Sequence, residues 1–207
     1  MRPGDRIRNL VVVLVLALAV PATAWSSGAA HRHDGFLLRL SAGFGVASSD
    51  AEDEFGDNLE MSGLSGDVNF AIGGMVAPNL ALHGTLWGWS IADPDVELNN
   101  DDLGDLNGDL TMSALGIGVT YYFMPTNLYL SGSFGVGQLS LDVEGVGDAD
   151  TDWGPVLDAT IGKEWWVSAN WGLGLAGGVG FHSIPDDDID DNWSGVSLGL
   201  RFSATFN

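Results

Sequence analysis

The sequence predicts an all-β protein, an eight-stranded antiparallel up-and-down transmembrane β-barrel with short periplasmic turns and long acidic extracellular loops. Three observations support this fold. Eight segments place apolar residues at every second position, which is the period of a β-strand and not of a helix. Short and long connections alternate between these segments. Most of the acidic residues lie in the long connections.

Residues 1–24 have the pattern of an export signal. A basic start is followed by eleven apolar residues, from Leu10 to Val20, and then by an A-x-A cleavage site. Eleven residues are too few for a transmembrane helix, which needs about 20. We expect cleavage after Ala24, with cleavage after Ala30 or an uncleaved anchor as the alternatives. Residues 25–35 are then a periplasmic lead, and residues 36–207 form the barrel.

The predicted strands have the length of tilted transmembrane strands, which take about 9–11 residues. Their apolar residues share one face, and the opposite face is small and polar, with too little apolar volume for a conventional core. Such a sheet fits lipid if it closes on itself, because open backbone edges cannot exist in hydrocarbon. The segments are about 36–46, 67–76, 80–91, 114–123, 128–136, 157–165, 171–182 and 196–206.

The third segment is the irregular one. Trp87 and Trp89 are out of phase with the leucines that precede them. A β-bulge near Gly84 or Gly88 would restore the alternation and return both tryptophans to the outer face.

Three short connections repeat one turn pattern, in which Asn follows small residues or Pro and precedes an apolar residue. They are the segments 76–80, 124–128 and 167–171. Pro fixes φ and Asn tolerates the left-handed region, so both suit tight turns. Four longer links join the resulting hairpins, at about 48–63, 92–110, 142–153 and 184–194. This count places both termini on the side of the short turns.

The charge of the chain is concentrated in the long links. The chain has 28 acidic residues against 7 Lys and Arg, a formal net charge of −21, and the four links hold 23 of the acids and no Lys or Arg. Phosphate binding relies on clustered Lys and Arg, so nucleic acid is excluded as a partner. The absence of Cys excludes disulfides, thiolate metal sites and cysteine nucleophiles.

Aromatic residues are expected in two girdles at the membrane interfaces. Lys163 is the only charge predicted on the lipid face, and its position near a turn lets it reach the headgroups. A soluble core built from the same aromatics is the alternative. The girdle beside the turns contains Tyr121, Phe123, Tyr129, Trp165, Trp166 and Trp171, and the girdle beside the acidic loops contains Trp87, Trp89, Trp153 and Trp193.

With its export signal, Asn-containing turns, long outer loops and final aromatic strand, the chain resembles the small outer-membrane β-barrels of Gram-negative bacteria, of the OmpA, OmpX and OmpW type. The resemblance covers the signal and residues 36–207. It implies the cell outer membrane as the location, and outer-membrane lipid, lipopolysaccharide and the barrel assembly machinery as partners. It also implies that Phe206 is the assembly signal, displaced from the chain end by Asn207. We expect a monomer.

Five charged residues are predicted to face the barrel interior. Since buried charges must be paired, we expect them to form a salt-bridged plug. A gated path lined by the same residues is the alternative, although eight strands leave little lumen. The residues are Arg39, Asp67, Asp158, Glu164 and Arg201.

Two acidic segments supply oxygen ligands at spacings that suit Ca²⁺. The first holds Asp105, Asn107 and Asp109, and the second holds Asp148, Asp150 and Asp152. Neither matches the EF-hand loop, and a solvated acidic surface is the alternative. We expect no resident cofactor beyond loosely bound Ca²⁺, which would bridge the loops to lipopolysaccharide phosphates.

We do not expect an enzyme. Some barrels that this chain resembles modify lipid A, but the side chains of His182 and Ser183 lie on opposite strand faces, and no nucleophile with a base and an orienting group can be named. The expected role is structural or surface-interactive, with specificity in the loops. The alternatives are a narrow channel or lateral route for small solutes, as the OmpW resemblance implies, and a soluble periplasmic barrel. His31 and His33 are expected in a flexible lead.

Overall fold

The computed structural model describes residues 33–52, 56–186 and 191–207, and these form β-strands joined by turns. No helix in these ranges is long and apolar enough to cross a membrane. The predicted signal, residues 1–24, lies outside the described residues. The strands are β1 (Phe36–Glu52), β2 (Asn58–Ala77), β3 (Leu80–Ala92), β4 (Asp95–Leu98), β5 (Asp101–Asp105), β6 (Gly108–Phe123), β7 (Leu128–Val143), β8 (Gly147–Asp150), β9 (Gly154–Trp166), β10 (Trp171–Asp186) and β11 (Asp191–Phe206).

Eight long strands close into an antiparallel barrel, which confirms the predicted fold class. The order around the barrel is β1, β2, β3, β6, β7, β9, β10 and β11, and β11 pairs with β1 to complete the ring. The short strands lie outside the ring: β4 pairs with the N-terminal part of β2, β5 pairs with β4, and β8 pairs with β7.

The register of the pairs gives the shear of the barrel. A path of directly paired residues that starts at Leu38 returns to β1 at Ser48, which is ten residues further along the strand. Strand number and shear together set the tilt and the diameter, and a barrel of eight strands has an interior that side chains just fill. The path is Leu38, Ile72, Gly84, Ile117, Phe134, Leu157, Phe181, Val196 and Ser48.

The strands continue well beyond the predicted ends, into the acidic segments. β1 has 17 residues, β2 has 20, and β6, β7, β10 and β11 each have 16, against the roughly ten predicted from membrane thickness. The predicted link 92–110 contains the β4–β5 hairpin, and the link 142–153 contains β8. The four predicted links therefore contain strand residues over much of their described length, because backbone pairing continues where the lipid-facing pattern ends.

β3 is regular, and the predicted bulge near Gly84 or Gly88 is wrong. Its pairing with β6 is continuous from Leu80 to Ala92. The register shift of this region lies instead in β2, between Met75 and Ala77. Trp87 and Trp89 are out of phase with the leucines because they point into the barrel, where both are buried.

The inner and outer faces of the sheet exchange polarity from one end of the barrel to the other. In the half nearer the short turns, here called the turn end, the outward side chains are apolar and exposed, and we call this ring the apolar belt. Toward the opposite, loop end, the outward side chains become polar and acidic. They include Ser48, Asp50, Glu60, Ser62, Ser90, Thr111, Ser113, Gln138, Ser140 and Asp142.

The aromatic residues confirm one girdle only in part and the other hardly at all. Tyr121, Phe123 and Trp165 lie exposed at the turn end, as predicted, whereas Tyr129 is buried inside the barrel. Of the loop-side girdle, Trp153 is exposed. The other three members, Trp87, Trp89 and Trp193, are buried in the interior, so that prediction is wrong for them.

Two of the three predicted Asn turns use the left-handed region. Asn79 has φ 62° and Asn127 has φ 54°, as the tolerance of Asn for this region leads one to expect. Asn170 acts differently: its side-chain amide donates to the backbone oxygen of Asn207 at 2.8 Å and ties the third turn to the end of the chain.

Candidate functional site: the barrel interior and the loop end

The interior is filled in three layers. The turn-end layer is built around Arg39 and Glu164. The middle layer is built around Arg201, Asp67 and Asp158. A group of buried apolar side chains around Trp87, Trp89 and Ile91, here called the apolar cluster, fills the loop-end half. The five charged residues that the sequence places inside are therefore all there, and each is at most 4% exposed.

In the turn-end layer, Arg39 is held on several sides. Its Nε lies 3.5 Å from Glu164 Oε1, and its Nη2 donates to the Tyr122 hydroxyl at 2.6 Å. The guanidinium carbon lies 4.0 Å from the centre of the Tyr129 ring, in the geometry of a cation–π contact. Thr205 donates to the same Glu164 oxygen at 2.6 Å. The charges are one to one, so this layer is electrically balanced.

His33 closes the turn end of the interior. Its ring stacks on Tyr122 with a centroid distance of 3.4 Å, and Nε2 donates to Asn127 Oδ1 at 2.6 Å. Only 3% of the residue is exposed. The expectation that His33 belongs to a flexible lead is therefore wrong for this residue, because aromatic and polar partners fix it in the barrel mouth. His31 lies outside the described residues.

In the middle layer, one guanidinium serves two carboxylates. Arg201 Nη2 lies 2.9 Å from Asp158 Oδ2 and 3.4 Å from Asp67 Oδ1, and its Nη1 donates to Thr160 at 3.2 Å. Gly43 of β1 pairs with Asp67 on one side and with Arg201 on the other. Because Gly43 has no side chain, the longer groups of its two neighbours meet across it.

Hydroxyl groups and a histidine extend the hydrogen bonds of the turn-end layer, in which Arg39 Nη1 donates to Thr120 at 3.4 Å. His83 contacts Thr85 at 2.7 Å and Thr120 at 3.0 Å, and Thr120 donates to Ser131 at 2.9 Å. Beside this chain lies a cavity of about 10 Å³, which is room for about one water molecule. It is lined by Arg39, Ser41, Asn69, Ala71, His83, Tyr129, Ser131, Ser133, Asp158, Thr160, Ala176 and Arg201.

The loop-end half of the interior is apolar, which corrects the prediction that the barrel has no conventional core. The inward residues of eight barrel strands and of β4 meet there, at the level where the outer surface is polar. The cluster consists of Ala47, Ala51, Met61, Trp87, Trp89, Ile91, Leu110, Met112, Ala114, Leu139, Val156, Ile184 and Trp193, with Leu59, Val96 and Leu141 at its edge.

His182 points inward, as predicted, and its partner is Ser49 and not Ser183. The two side chains meet at 2.9 Å between Nε2 and Oγ, and both are buried among residues of the apolar cluster, with His182 beside Trp89. The described side chains include no carboxylate beside this pair, so it lacks the orienting group of a catalytic triad.

At the loop end, carboxylates of neighbouring strands stand directly opposite one another. Asp50, Glu60, Glu97 and Asp102 form one row across β1, β2, β4 and β5, which we call the four-acid row. Asp109, Asp142 and Asp148 form a second row across β6, β7 and β8. Like charges in directly opposite positions destabilise a sheet.

The residues predicted to hold Ca²⁺ are dispersed over these strands. Asp105 ends β5, Asn107 donates to Glu144 Oε2 at 2.6 Å, and Asp109 lies in the second row. Asp148 and Asp150 lie in β8, and Asp152 follows it. Within the described ranges, no three acidic or histidine residues converge in the geometry of a metal site. Calcium binding stays a prediction.

One loop carboxyl is perturbed. A hydrogen bond shared with Asp95, together with repulsion from Asp95 and Asp102, raises the pKa of Asp105. Asp95 and Asp105 are direct partners across β4 and β5, so the hairpin brings the two acids together.

Two further predicted residues lie at the turn end. Lys163 donates to the Thr126 carbonyl at 3.0 Å and lies over the Trp165 ring, which fits a side chain that reaches the membrane interface. Phe206 contacts Trp171 edge-on at a centroid distance of 5.4 Å and Phe36 at 6.4 Å. Its role in assembly stays a prediction.

Residues 10–202 match the family model of the outer membrane protein beta-barrel domain. The chain belongs to this family. The protein is therefore located in the cell outer membrane, where lipid covers its apolar belt. The resemblance to small outer-membrane barrels is confirmed. No curated protein matches the sequence.

Solved structures of the same kind cover most of the chain. Neisserial surface protein A is 15% identical with a TM-score of 0.53, and the match covers 87% of this chain and 99% of that one. OprG from Pseudomonas aeruginosa is 16% identical with a TM-score of 0.43, covering 86% and 99%. Ail of Yersinia pestis, in complex with the heparin analogue sucrose octasulfate, is 13% identical with a TM-score of 0.44, covering 83% and 99%. At these identities the likeness is one of fold.

The apolar cluster, and the residues that hydrogen-bond to the buried charges or close the turn end, were not predicted from the sequence. A signal was present for the cluster: Leu59, Met61, Trp87, Trp89 and Ile91 alternate with polar residues in the strand period. Tyr122 and His33 carried no such signal, since only closure of the barrel brings them to Arg39 and Asn127.

Proposed function

We propose that this outer membrane β-barrel is a closed, non-enzymatic protein whose loop end faces the cell exterior and acts by presenting an acidic surface to partners. One observation carries the proposal. The interior is filled from the His33 contact to the apolar cluster, while the four-acid row and the second row stand on strands that extend beyond the belt. Rigid strands place these carboxylates more precisely than loops can.

The narrow channel predicted as the alternative is not favoured by the described side chains. The cavity among them holds about one water, and the apolar cluster lies across the path to the loop end. The test is single-channel recording in planar bilayers with purified protein. We expect no conductance steps from the wild type or from Arg201→Ala. Regular steps from the wild type would show that the closed-barrel proposal is wrong.

The surface role is tested separately. We expect a soluble cationic probe, such as a short polylysine peptide, to bind cells that display the protein. Binding should fall when Glu60, Glu97 and Asp102 are all changed to their amides. A matched variant, Asp150→Asn, changes a carboxylate opposite Ser140 and should retain most of the binding. Equal binding by all three forms and by cells without the protein would contradict the surface role.

Divalent cations are proposed as loosely held counter-ions of the rows, which would link the loop end to lipopolysaccharide phosphates. The support is the in-register repulsion, which a bound cation would relieve. We expect Ca²⁺ to raise the unfolding temperature of the wild type more than that of the triple amide variant. The absence of both calorimetric heat and a stability change would contradict it.

A further inference from the structure

The middle layer carries one more negative charge than positive charge. Among the described residues at most 4% exposed, the charged side chains are Arg39, Arg201, Asp67, Asp158 and Glu164. Arg39 and Glu164 balance one another, so the surplus falls on the two aspartates that share Arg201. An uncompensated charge in a low-dielectric interior is strongly unfavourable.

This surplus lies at the depth of the membrane. Gly43, Asp67 and Arg201 are directly paired across three strands. On either side of this row the outward residues are Phe44, Val68, Leu200 and Phe202, all exposed members of the apolar belt. Lipid therefore surrounds the row, and bulk counter-ions cannot screen it from outside.

The two aspartates are not equally satisfied. Asp158 is 2.9 Å from Arg201 and also accepts a hydrogen bond from Thr160 at 3.0 Å. Asp67 has only the 3.4 Å contact of Oδ1 with Arg201, and its Oδ2 is buried with no hydrogen-bond partner among the described groups. Asp158 Oδ2 also lacks a hydrogen-bond partner among the described groups, but it has the closer ion-pair contact with Arg201. Asp67, which is 2% exposed, is therefore the less well satisfied of the two aspartates.

The chain makes room for this carboxylate. A Cβ at Gly199 of β11 would lie 2.0 Å from Asp67 Oδ2, so only a glycine there leaves the space that the carboxylate occupies. Asp67 does not itself line the small cavity, but its ion-pair partner Arg201 does, together with Asp158, Asn69 and Ser41, whose side chains carry further oxygen atoms. Oxygen atoms of this kind are the ligands that hard cations prefer.

We propose that the barrel interior binds one monovalent cation, a proton or an alkali-metal ion, at Asp67 beside Asp158 and Arg201. The cation cancels the surplus charge and supplies Asp67 Oδ2 with its missing partner. Since the unfolded chain exposes Asp67 to water, the ion binds the folded barrel more tightly and stabilises it. This site is independent of the proposed surface role.

The other titratable or charged groups that face this part of the interior must be separated from Asp67 in the test. They are Arg39 on β1, His83 on β3, Tyr122 on β6, Tyr129 on β7, Asp158 and Glu164 on β9, His182 on β10 and Arg201 on β11.

The experiment measures urea unfolding of the barrel in vesicles of phosphatidylcholine, a lipid with no net charge. One arm lowers the pH from 8 to 5 in N-methylglucamine chloride. A second arm replaces N-methylglucamine by Na⁺ at pH 8 and constant ionic strength. If the cation is a proton, the folding constant should rise by up to tenfold per pH unit. If it is Na⁺, the constant should rise by up to tenfold per tenfold increase in Na⁺.

Asp67→Asn removes the surplus and should abolish the dependence that the wild type shows. Asp158→Asn removes the same charge and serves if Asp67→Asn does not fold. Asp102→Asn, in the four-acid row, should retain the wild-type dependence on pH or Na⁺. It is the control for the contribution of surface acids. The infrared carbonyl band of a protonated carboxyl, present in the wild type and absent from Asp67→Asn, would identify the proton.

Two results would overturn the proposal. The first is a dependence on pH and Na⁺ that is the same in the wild type, Asp67→Asn and Asp158→Asn. The second is a dependence that persists in Asp67→Asn and disappears in His83→Asn, because the compensating charge would then be on the histidine.

Discussion

At the scale of the residue, the interior depends on short side chains that let charged ones meet. Arg201 and Asp67 belong to strands on opposite sides of β1, and Gly43 between them has no side chain to separate them. Gly199 likewise leaves space for the carboxylate of Asp67. The ion pairs of the middle layer therefore require Arg201 and the two glycines as well as the aspartates.

Removal of Arg201 should be severe. Arg201→Met leaves Asp67 and Asp158 buried without the cation that pairs with them, and breaking a buried ion pair from one side destabilises a protein by about 3–5 kcal/mol. The measurement is urea unfolding in vesicles. The triple variant with Asp67→Asn and Asp158→Asn in addition should recover most of the loss, and failure to recover any of it would show that Arg201 acts through packing alone.

At the scale of the element, each long strand changes its inward and outward roles along its length. β2 presents Val68 and Ile72 to lipid at the turn end, and presents Glu60 to water at the loop end, where Met61 points into the apolar cluster. From Met61 to Ile72 the inward–outward alternation of β2 continues, and only the environment on each side changes. The loop-end half thus has an apolar interior and a polar exterior, as in a soluble β-barrel, whereas the turn-end half has the reverse arrangement of a membrane barrel.

This reversal makes Trp89 a core residue. We expect Trp89→Ala to lower the free energy of unfolding by about 3–5 kcal/mol, as for other large aromatic truncations in a core. The control is Trp153→Ala at an exposed loop position, which should change it by no more than about 0.5 kcal/mol. Equal effects in urea unfolding would place Trp89 outside the core.

The four-acid row should respond to neutralisation. Changing Glu60 and Glu97 to Gln should stabilise the barrel by about 0.2–1 kcal/mol for each like-charge pair removed. The gain should shrink in 1 M salt, where the Debye length is only about 3 Å. Asp150→Asn is the matched control because its cross-strand neighbour is Ser140. A gain that does not change with salt would argue against charge repulsion as its cause.

At the scale of the whole molecule, closure joins the first strand to the last. β1 and β11 pair from Leu38 to Asp50, and Phe206 lies at this junction against Phe36 and Trp171. The first and last strands are thereby held together, and the bond between Asn170 and Asn207 ties the last residue to the third turn. The pairing that closes the barrel therefore joins two strands that are far apart in the sequence.

Phe206→Ala should lower the amount of folded barrel in the outer membrane severalfold, because it removes the aromatic contacts at the closing pair. The measurement is the proportion of folded protein in membranes, separated from unfolded protein by its mobility in unheated gels. Phe202→Ala lies on the same strand and the same face but is exposed to lipid, and it should assemble nearly as well as the wild type. An equal loss in both variants would contradict a special role for Phe206.

The strand period predicted more of the fold than of the site. Alternation placed Arg39, Asp67, Asp158, Glu164 and Arg201 inside the barrel, because side chains on a strand point to opposite faces in strict succession. It did not reveal that Arg201 serves two aspartates, since partners that are far apart in sequence meet only when the register of closure is fixed. The predicted bulge in β3 failed for a related reason: the lipid pattern was assumed to extend along the whole strand.

The sequence by itself determined the eight strands, their hairpin order, the inward charges and the acidic end, because each follows from local periodicity and from composition along one chain. The tertiary structure decided where the lipid-facing pattern stops, which residues fill the two halves of the interior, and how the charges are shared. These features depend on the shear of the closed ring, which sets the depth of every residue relative to its neighbours on the adjacent strands. No single strand contains that information.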